Sequence, residues 1–327
     1  MSDVLGVVAN GTGGVWRVVD GAGTEYEAVL RGRLKKVDTG RRSDGSIRRD
    51  TVAAAEQTMK LAVGDRVRLE HDPRAQAWAI DEILPRRSRL ARRSPGGGKG
   101  ERVIVANIDQ VLVMFAAAKP EPHPRMLDRF LVIAEANDLA ARIIVNKIEL
   151  VGDADARARF GVYERAGYPV HYLSVKQQTG IQAVHDVLAG QVSVITGPSG
   201  VGKSSLLNVL FPGLGLRVSE ISESVNKGRH TTVGAFLHPL PVESGGAVVD
   251  TPGLREIGLW EFPIERLDSC FPELRAHREE CRFADCSHLS EPGCAVRDAL
   301  QTGDVSAARY DSYVKLRGEI AEDAANG

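Results

Sequence analysis

The chain has 327 residues, which predicts two or three domains because one hydrophobic core rarely serves so long a sequence. Its 43% hydrophobic and 26% charged content is typical of soluble globular proteins, and no apolar run approaches the ~20 residues that span a bilayer. The net charge of −1 conceals a basic N-terminal third and an acidic C-terminal end, an asymmetry that often indicates nucleic-acid contact. The N-terminus lacks the pattern of a secretion signal, so we expect a cytoplasmic protein without membrane contact.

Residues 1–84 are predicted to form an all-β domain. Turn signals such as Asn10-Gly11 and Asp20-Gly21 separate short apolar runs, and five such strands are typical of an OB-fold barrel. The predicted strands are Val4–Val8, Val15–Val19, Tyr26–Leu30, Arg66–Leu69 and Trp78–Leu84. A connection rich in arginine and lysine extends from Arg31 to Arg49. It is either a solvated loop or a cationic surface for a phosphate backbone, and we expect the barrel to bind RNA.

Residues 85–102 are predicted to be a basic linker. Pro85 ends the preceding strand, and several arginines follow it. The run Gly96-Gly97-Gly98 does not follow a strand, so we interpret it as a flexible spacer and not as a nucleotide-binding loop.

Strands and helices alternate in residues 103–258. This pattern predicts an α/β domain with a mostly parallel sheet, helices on both faces, and ligands at the carboxyl ends of the strands. Met126–Asn137 has helical periodicity. The predicted strands include Val103–Ala106, Gln110–Phe115, Ala141–Val145, Val170–Leu173 and Gly246–Val249.

A phosphate-binding loop is predicted between a short apolar strand and an apolar helix. The pattern Gly197-x4-Gly202-Lys203-Ser204 allows successive backbone N–H groups to point at phosphate oxygens beside a helix N-terminus. We expect Lys203 to contact the β- and γ-phosphates and to act in catalysis, and the Ser204 hydroxyl to ligate Mg²⁺. The predicted phosphate site consists of Gly197, Pro198, Ser199, Gly200, Val201, Gly202, Lys203, Ser204 and Ser205.

The sequence Asp250-Thr251-Pro252-Gly253 follows the apolar strand before it and supplies the second acidic group that a phosphate-loop enzyme needs. We expect Asp250 to hold Mg²⁺ through water. The Gly253 amide is expected to approach the γ-phosphate, where a side chain would obstruct it.

Base recognition is predicted at Asn146-Lys147-Ile148-Glu149, which resembles the Asn-Lys-x-Asp motif of GTPases. In that motif the carboxylate accepts hydrogen bonds from guanine N1 and N2, which adenine cannot present in the same way. Glu149 stands where Asp is usual, so the carboxylate is kept but the side chain is longer by one methylene group. Guanine is favoured, while an ATPase or a nucleotide kinase stays an alternative. Ser174 begins a segment that resembles the last GTPase motif, whose backbone steadies the base.

The order of these motifs is unusual. GTPases ordinarily begin with the phosphate loop, whereas here both base-recognition motifs precede it, which indicates a circularly permuted domain. The segment that responds to the γ-phosphate therefore leads directly into the C-terminal domain. Nucleotide state could move that domain through an order–disorder switch.

A metal site is predicted in the C-terminal region. The pattern Cys281-x4-Cys286-x-His288-x5-Cys294 offers three thiolates and one imidazole, a complete tetrahedral set for one structural zinc ion. We therefore predict a small, mainly helical zinc domain over residues 259–327. The helical pattern of Asp304–Asp323 leaves open whether that helix packs on the central domain or faces a partner.

The chain resembles the circularly permuted, ribosome small-subunit-dependent GTPases of the RsgA family, also called YjeQ. The matching stretches are Val105–Gln110, Gly197–Ser205, Gly228–Thr232 and Asp250–Glu256, together with the zinc pattern. The resemblance implies an N-terminal OB-fold, a permuted GTPase domain and a C-terminal zinc domain. It also implies GTP hydrolysis in late maturation of the small ribosomal subunit, with contact to its rRNA.

Catalytic residues are expected in the segment before Asp250. Ras-like enzymes orient the attacking water with a Gln after the switch glycine, but this chain has the apolar Leu254 there. His230 is the best local candidate for that task, and the resemblance also points to it; alternatively, it packs or caps the switch segment. Thr231 or Thr232 should ligate Mg²⁺ and close on the γ-phosphate, with the register open.

We expect a monomer that hydrolyses GTP slowly alone and faster with the ribosomal partner. The alternative is an RNA-binding assembly module that uses GTP as a structural or switch ligand with little turnover.

Overall fold

The computed structural model describes residues 3–31, 34, 61–73, 76–93, 101–215, 235–251 and 262–326. Outside these ranges lie four of the predicted site residues, which are His230, Thr231, Thr232 and Gly253. Leu254, the run Gly96-Gly97-Gly98 and most of the basic connection after Arg31 also lie outside them. The interpretations of those residues stay predictions.

The N-terminal strands are β1 (Val4–Thr12), β2 (Val15–Asp20), β3 (Glu25–Leu30), β4 (Arg66–Asp72) and β5 (Ala77–Ile83). They form a closed barrel in the order β1-β2-β3-β5-β4, and the pairing of Val4 with Leu69 helps to close it. Because successive strand residues face opposite sides, every second side chain can point inward. The barrel core contains Val8, Val18, Ala28, Val67, Leu69 and Ile80. The predicted five-stranded OB-type barrel is confirmed.

The prediction of a linker over residues 85–102 is wrong in part. Strand β6 (Arg89–Arg93) pairs antiparallel with β7 (Glu101–Ala106). Strand β7 was predicted to join the central sheet and forms this separate hairpin instead. Leu90 lies opposite Val105, and both side chains are buried. The arginines around Leu90 suggested a solvated segment, but a strand needs only alternate residues to be apolar.

The barrel is joined to this hairpin by buried polar contacts. Asp65 is fully buried and receives two hydrogen bonds from the Arg86 guanidinium, at 2.6 and 2.7 Å. The Asn107 side chain donates to the Gly64 carbonyl at 2.9 Å. A Cβ at Gly64 would lie 2.1 Å from the carbonyl oxygen of Ala106, so the two backbones approach as closely as only glycine permits. The connection is therefore a packed joint within the described residues.

The central sheet comprises β8 (Gln110–Ala116), β9 (Ala140–Asn146), β10 (Val170–Tyr172), β11 (Val192–Thr196), β12 (Phe236–Pro239) and β13 (Ala247–Asp250). Its order is β10-β9-β8-β11-β13-β12, and only the β12–β13 pair is antiparallel among these strands. Strand β8 is buried throughout, with Val113 and Phe115 in one core and Leu112 and Met114 in the other. The prediction of a mostly parallel α/β domain is confirmed.

Helices cover both faces of this sheet. They are α1 (Pro124–Ala136), α2 (Asp153–Arg165), α3 (Ile181–Leu188) and α4 (Lys203–Leu210). Helix α1 packs on the Phe115 face, where the rings of Phe115 and Phe130 lie 6.5 Å apart. Helix α4 contributes Leu206 and Leu207 to the core on the opposite face.

The C-terminal region contains α5 (Pro272–Arg275), α6 (Ala295–Thr302) and α7 (Ala307–Asn326). Helix α7 packs against α1, which answers the question that the periodicity of Asp304–Asp323 left open. Arg309 of α7 is only 2% exposed and pairs with Asp128 of α1 and Glu273 of α5. Within the described ranges, no helix is both long and apolar enough to cross a membrane.

Candidate nucleotide site and metal centre

The predicted nucleotide motifs converge at the carboxyl edge of the central sheet. Asn146 ends β9 and Asp250 ends β13, while the phosphate loop follows β11 and Ser174 follows β10. These strands run parallel, so their carboxyl ends meet at one edge, where α/β folds bind ligands. The motifs are therefore brought together despite their order in the sequence.

The phosphate loop requires glycine at its turning points. Gly197, Gly200 and Gly202 have φ values of 135°, 76° and 102°. A Cβ at Gly197 would lie 2.0 Å from the Met114 carbonyl oxygen, and one at Gly202 would lie 2.6 Å from the Asn146 side-chain nitrogen. The loop is thus held against β8 and β9, and it ends at the N-terminus of α4, a favourable place for an anion.

Lys203 is buried at the start of α4. Its Nζ donates to the carbonyl oxygens of Gly197 and Pro198, at 2.9 and 2.7 Å. Ser204, the predicted Mg²⁺ ligand, is also buried, and Ser199 and Ser205 complete the loop and the first turn of the helix. The ammonium group is therefore located among the loop carbonyls, within the predicted phosphate site.

Asn146 connects the phosphate loop to the segment that follows Ser174. Its side-chain nitrogen donates to the Val201 carbonyl at 2.8 Å, and its oxygen accepts from the Val175 backbone N–H at 3.1 Å. Ser174 is fully buried, and its hydroxyl accepts from the Gln177 N–H at 3.1 Å. An amide has a second N–H and a further lone pair, so Asn146 retains capacity for a purine.

Lys147 and Glu149 differ in their hydrogen bonds: the ammonium group of Lys147 has acceptors, whereas one carboxylate oxygen of Glu149 has no donor among the described residues. Lys147 has a left-handed backbone with φ of 63°, and its Nζ donates to Lys119 O at 2.5 Å and Gly200 O at 2.7 Å. The Glu149 Oε2 atom is buried and has no hydrogen-bond partner in the described part of the chain. An acceptor of this kind fits a ligand that presents N–H donors.

The Thr251 hydroxyl, which follows Asp250, is also unsatisfied over the described ranges. Its oxygen is buried and lacks a hydrogen-bond partner within the described residues. Asp250 itself is half-buried, in register with Ile195 of the strand that precedes the phosphate loop. The carboxylate thus lies at the same sheet edge as the loop, as a group that holds Mg²⁺ would need to.

The four predicted zinc ligands form one cluster, with their ligand atoms all within 4.8 Å of one another. His288 Nδ1 lies 3.5 Å from Cys281 Sγ and 3.4 Å from Cys294 Sγ, and these two sulfurs are 3.9 Å apart. Zn–S bonds of about 2.3 Å and Zn–N bonds of about 2.0 Å in a tetrahedron give edges of about 3.8 Å between sulfurs and about 3.5 Å between nitrogen and sulfur. The residues, including Cys286, therefore fit a tetrahedral zinc ion.

Three residues around the cluster, Asp268, Tyr310 and Tyr313, were not anticipated from the sequence. Tyr310 and Tyr313 of α7 donate hydrogen bonds to the carbonyls of His288 and Ser287, at 2.6 and 2.9 Å, and so hold the segment in which His288 has φ of 61°. The buried His288 Nε2 lies 3.3 Å from Asp268 Oδ2. No spacing rule connects these positions to the Cys/His pattern, so only the fold brings them together.

These features define a class: phosphate-loop GTPases with a circularly permuted motif order. The RsgA GTPase family model matches residues 83–260. The chain is 56% identical over 320 residues to the small ribosomal subunit biogenesis GTPase RsgA of Gemmatimonas aurantiaca, with 98% of each chain covered. The chain belongs to the RsgA GTPase family, and it is a GTP hydrolase.

Solved structures agree with this assignment. YjeQ from Thermotoga maritima superposes with a TM-score of 0.74 at 32% identity, covering 98% of this chain and 99% of that one. YloQ, described as a circularly permuted GTPase, gives a TM-score of 0.69 at 28% identity, covering 98% and 96%. The family resemblance, the fold class and the enzyme class predicted from the sequence are confirmed, and use of GTP and Mg²⁺ comes with the family.

Proposed function

We propose that this chain hydrolyses GTP to time its release from the small ribosomal subunit late in the maturation of that subunit. One observation carries the proposal: the base-recognition and phosphate motifs converge at one sheet edge in permuted order. The chain after Asp250 consequently leads from the nucleotide site into the Cys/His cluster. The relative from Gemmatimonas aurantiaca, similar over nearly its whole length, is named for biogenesis of the small ribosomal subunit.

Within this proposal the loop from Gly197 to Ser205 binds the phosphates through its backbone N–H groups. Lys203 exchanges its loop carbonyls for β- and γ-phosphate oxygens. Ser204 and Asp250 would hold Mg²⁺, and the bound ion would neutralise charge on the phosphates. The burial of Lys203 and Ser204 supports these roles, because electrostatic interactions are stronger away from water.

The remaining catalytic roles belong to residues beyond the described ranges. Thr231 or Thr232 ligates Mg²⁺ and closes on the γ-phosphate, and the Gly253 amide approaches the same group. His230 orients the attacking water in place of the Gln of Ras-like enzymes. Leu254 cannot accept or donate a hydrogen bond, which supports a separate residue for this task.

Guanine is recognised by Glu149, with Asn146, Lys147 and the Ser174 segment shaping the base site. The unsatisfied Oε2 atom of Glu149 supports this assignment, since guanine N1–H and N2–H would supply its missing donors. Lys147 and Asn146 tie this part of the site to the phosphate loop through Gly200 and Val201. Base and phosphate recognition are thereby coupled.

One zinc ion would be held by Cys281, Cys286, His288 and Cys294 in a structural role. Four protein ligands leave no open coordination position, so zinc would stabilise this segment without taking part in catalysis. The tetrahedral spacing of the sulfur and nitrogen atoms supports the assignment.

The barrel contacts rRNA, and the protein acts as a cytoplasmic monomer. The basic excess of the N-terminal third supports contact with a phosphate backbone. If this is correct, RNA affinity falls steeply as salt rises, whereas a merely solubilising charge would give little salt dependence.

The test is GTP hydrolysis by the purified protein with and without small ribosomal subunits, with ATP as the nucleotide control and Lys203→Ala as the inactive variant. We expect strong stimulation that is confined to GTP and abolished by Lys203→Ala. GTP binding without stimulated turnover would favour the RNA-binding module. Equal hydrolysis of ATP would overturn the base-recognition assignment.

A further inference from the structure

The imidazole of His288 has two different neighbours. Its Nδ1 atom faces the sulfurs of Cys281 and Cys294, at 3.5 and 3.4 Å. Its Nε2 atom faces the carboxylate of Asp268, at 3.3 Å from Oδ2. His288 is 1% exposed and the Asp268 side chain is 9% exposed, so water competes little for this contact.

We propose that Asp268 is a positioning residue for the zinc site: its carboxylate accepts a hydrogen bond from His288 Nε2–H and so presents Nδ1 to the metal. This inference rests on the proposed zinc site. A neutral imidazole carries one N–H, and the hydrogen bond made by one nitrogen decides which nitrogen is free to coordinate. Carboxylates in this position also raise the basicity of the ligand.

The Asp268 carboxylate is held independently of His288. Its Oδ1 accepts from the Ser269 backbone N–H at 2.7 Å, and its Oδ2 lies 3.1 Å from Arg278 Nε. These contacts fix the carboxylate in the 3-10 turn Asp268–Cys270. The acceptor is therefore oriented in advance, before any metal binds.

The turn that contains Asp268 also connects the metal cluster to the rest of the chain. The turn lies in the stretch between the nucleotide-responsive segment after Asp250 and the first cysteine of the cluster, and it packs against α1 of the central domain. The hydrogen bond thus links the metal ligand to that connecting stretch, which the ligand spacing alone would not reveal.

The experiment compares zinc affinity of the full chain, wild type against Asp268→Ala and Asp268→Asn, by competition with a coloured chelator. Loss of an outer carboxylate typically weakens metal binding about 10- to 100-fold, so Asp268→Ala should show a loss in that range. Asp268→Asn keeps an acceptor oxygen without the charge and should show a smaller loss. The matched control is Asp285→Asn, which removes the same charge from an exposed position beside Cys286.

A second readout separates positioning from folding. In the zinc-loaded wild type, nitrogen NMR should give a metal-bound Nδ1 and a protonated Nε2 whose proton is protected from exchange. Asp268→Ala should lose that protection, and Arg278→Ala should keep it. Wild-type affinity in Asp268→Ala, or coordination through Nε2, would overturn the inference; a wild type that binds no zinc would instead refute the zinc proposal.

Discussion

In the proposed nucleotide site, base specificity rests on one side chain, that of Glu149. Its Oε2 atom is buried without a hydrogen-bond partner among the described residues, and an unsatisfied buried acceptor costs about 1–3 kcal/mol. A ligand that supplies N–H donors removes this penalty. Guanine would do so through N1–H and the N2 amino group. Adenine has an acceptor at N1 and no amino group at C2, so the same atom would favour guanine over adenine.

Replacing the carboxylate with an amide tests this reasoning. For Glu149→Gln we expect GTP affinity to fall about 10- to 100-fold, because a hydrogen bond to a charged group contributes about 1.5–3 kcal/mol, with ATP affinity little changed. Isothermal titration with both nucleotides measures this. Asp155→Asn, in the exposed first turn of α2, is the charge-matched control. A parallel loss of GTP and ATP affinity would show that Glu149 does not read the base.

At the scale of elements, the contact between α1, α5 and α7 is built around a buried cation. The Arg309 guanidinium pairs with Asp128 and Glu273, and lies 4.6 Å from the centre of the Phe271 ring. Burial raises the pKa of the Asp128 carboxyl and outweighs the opposing effect of Arg309. A buried carboxylate without a cationic partner destabilises the fold, so the three helices depend on one another for charge balance.

Removal of this cation should be strongly destabilising. For Arg309→Ala we expect a loss of about 3–5 kcal/mol in the free energy of unfolding, because two buried carboxylates lose their partner. Urea unfolding of the zinc-loaded protein measures it. The triple variant Arg309→Met, Asp128→Asn and Glu273→Gln removes all three charges and should cost less. If the triple variant is the less stable of the two, packing and not charge explains the effect.

At the scale of the whole molecule, the barrel is connected to the β6–β7 hairpin by a packed joint, formed by Asp65, Arg86, Gly64 and Asn107. Asp65 is fully buried, and the Arg86 side chain is 9% exposed. A basic linker was predicted over residues 85–102, which include Arg86. The finding instead implies that, over the described residues, the barrel and the hairpin move together.

Proteolysis tests the joint. Trypsin cleaves after arginine, so Asp65→Ala should speed cleavage at Arg86 and Arg87 about tenfold or more, because the guanidinium loses its buried partner and the segment opens more often. The fragments are identified by mass spectrometry. Glu25→Ala, which removes one side of an exposed ion pair in the barrel, should leave the cleavage rate unchanged. Equal cleavage in wild type and Asp65→Ala would contradict a joint held by this pair.

Local patterns predicted the barrel, the central sheet, the phosphate loop and the Cys/His cluster, because each has its signal within a short stretch. Helix α2 was missed since few of its apolar residues are buried: Ala156, Phe160 and Tyr163 lie among charged neighbours. The hairpin of β6 and β7 was missed because its arginines obscured Leu90. Asp268 carried no signal, since its contact with His288 depends on how the turn packs and not on the spacing of the two residues.

The sheet order divides the central domain into two consecutive pieces of chain. Strands β8, β9 and β10 lie on one side, β11, β12 and β13 on the other, and β8 meets β11 between them. During synthesis the first piece emerges with the base-recognition residues already in it, while the phosphate loop follows later. The residues proposed to bind the base are therefore synthesised before the phosphate loop that Asn146 and Lys147 contact, and β8 gains its second neighbour only when β11 arrives.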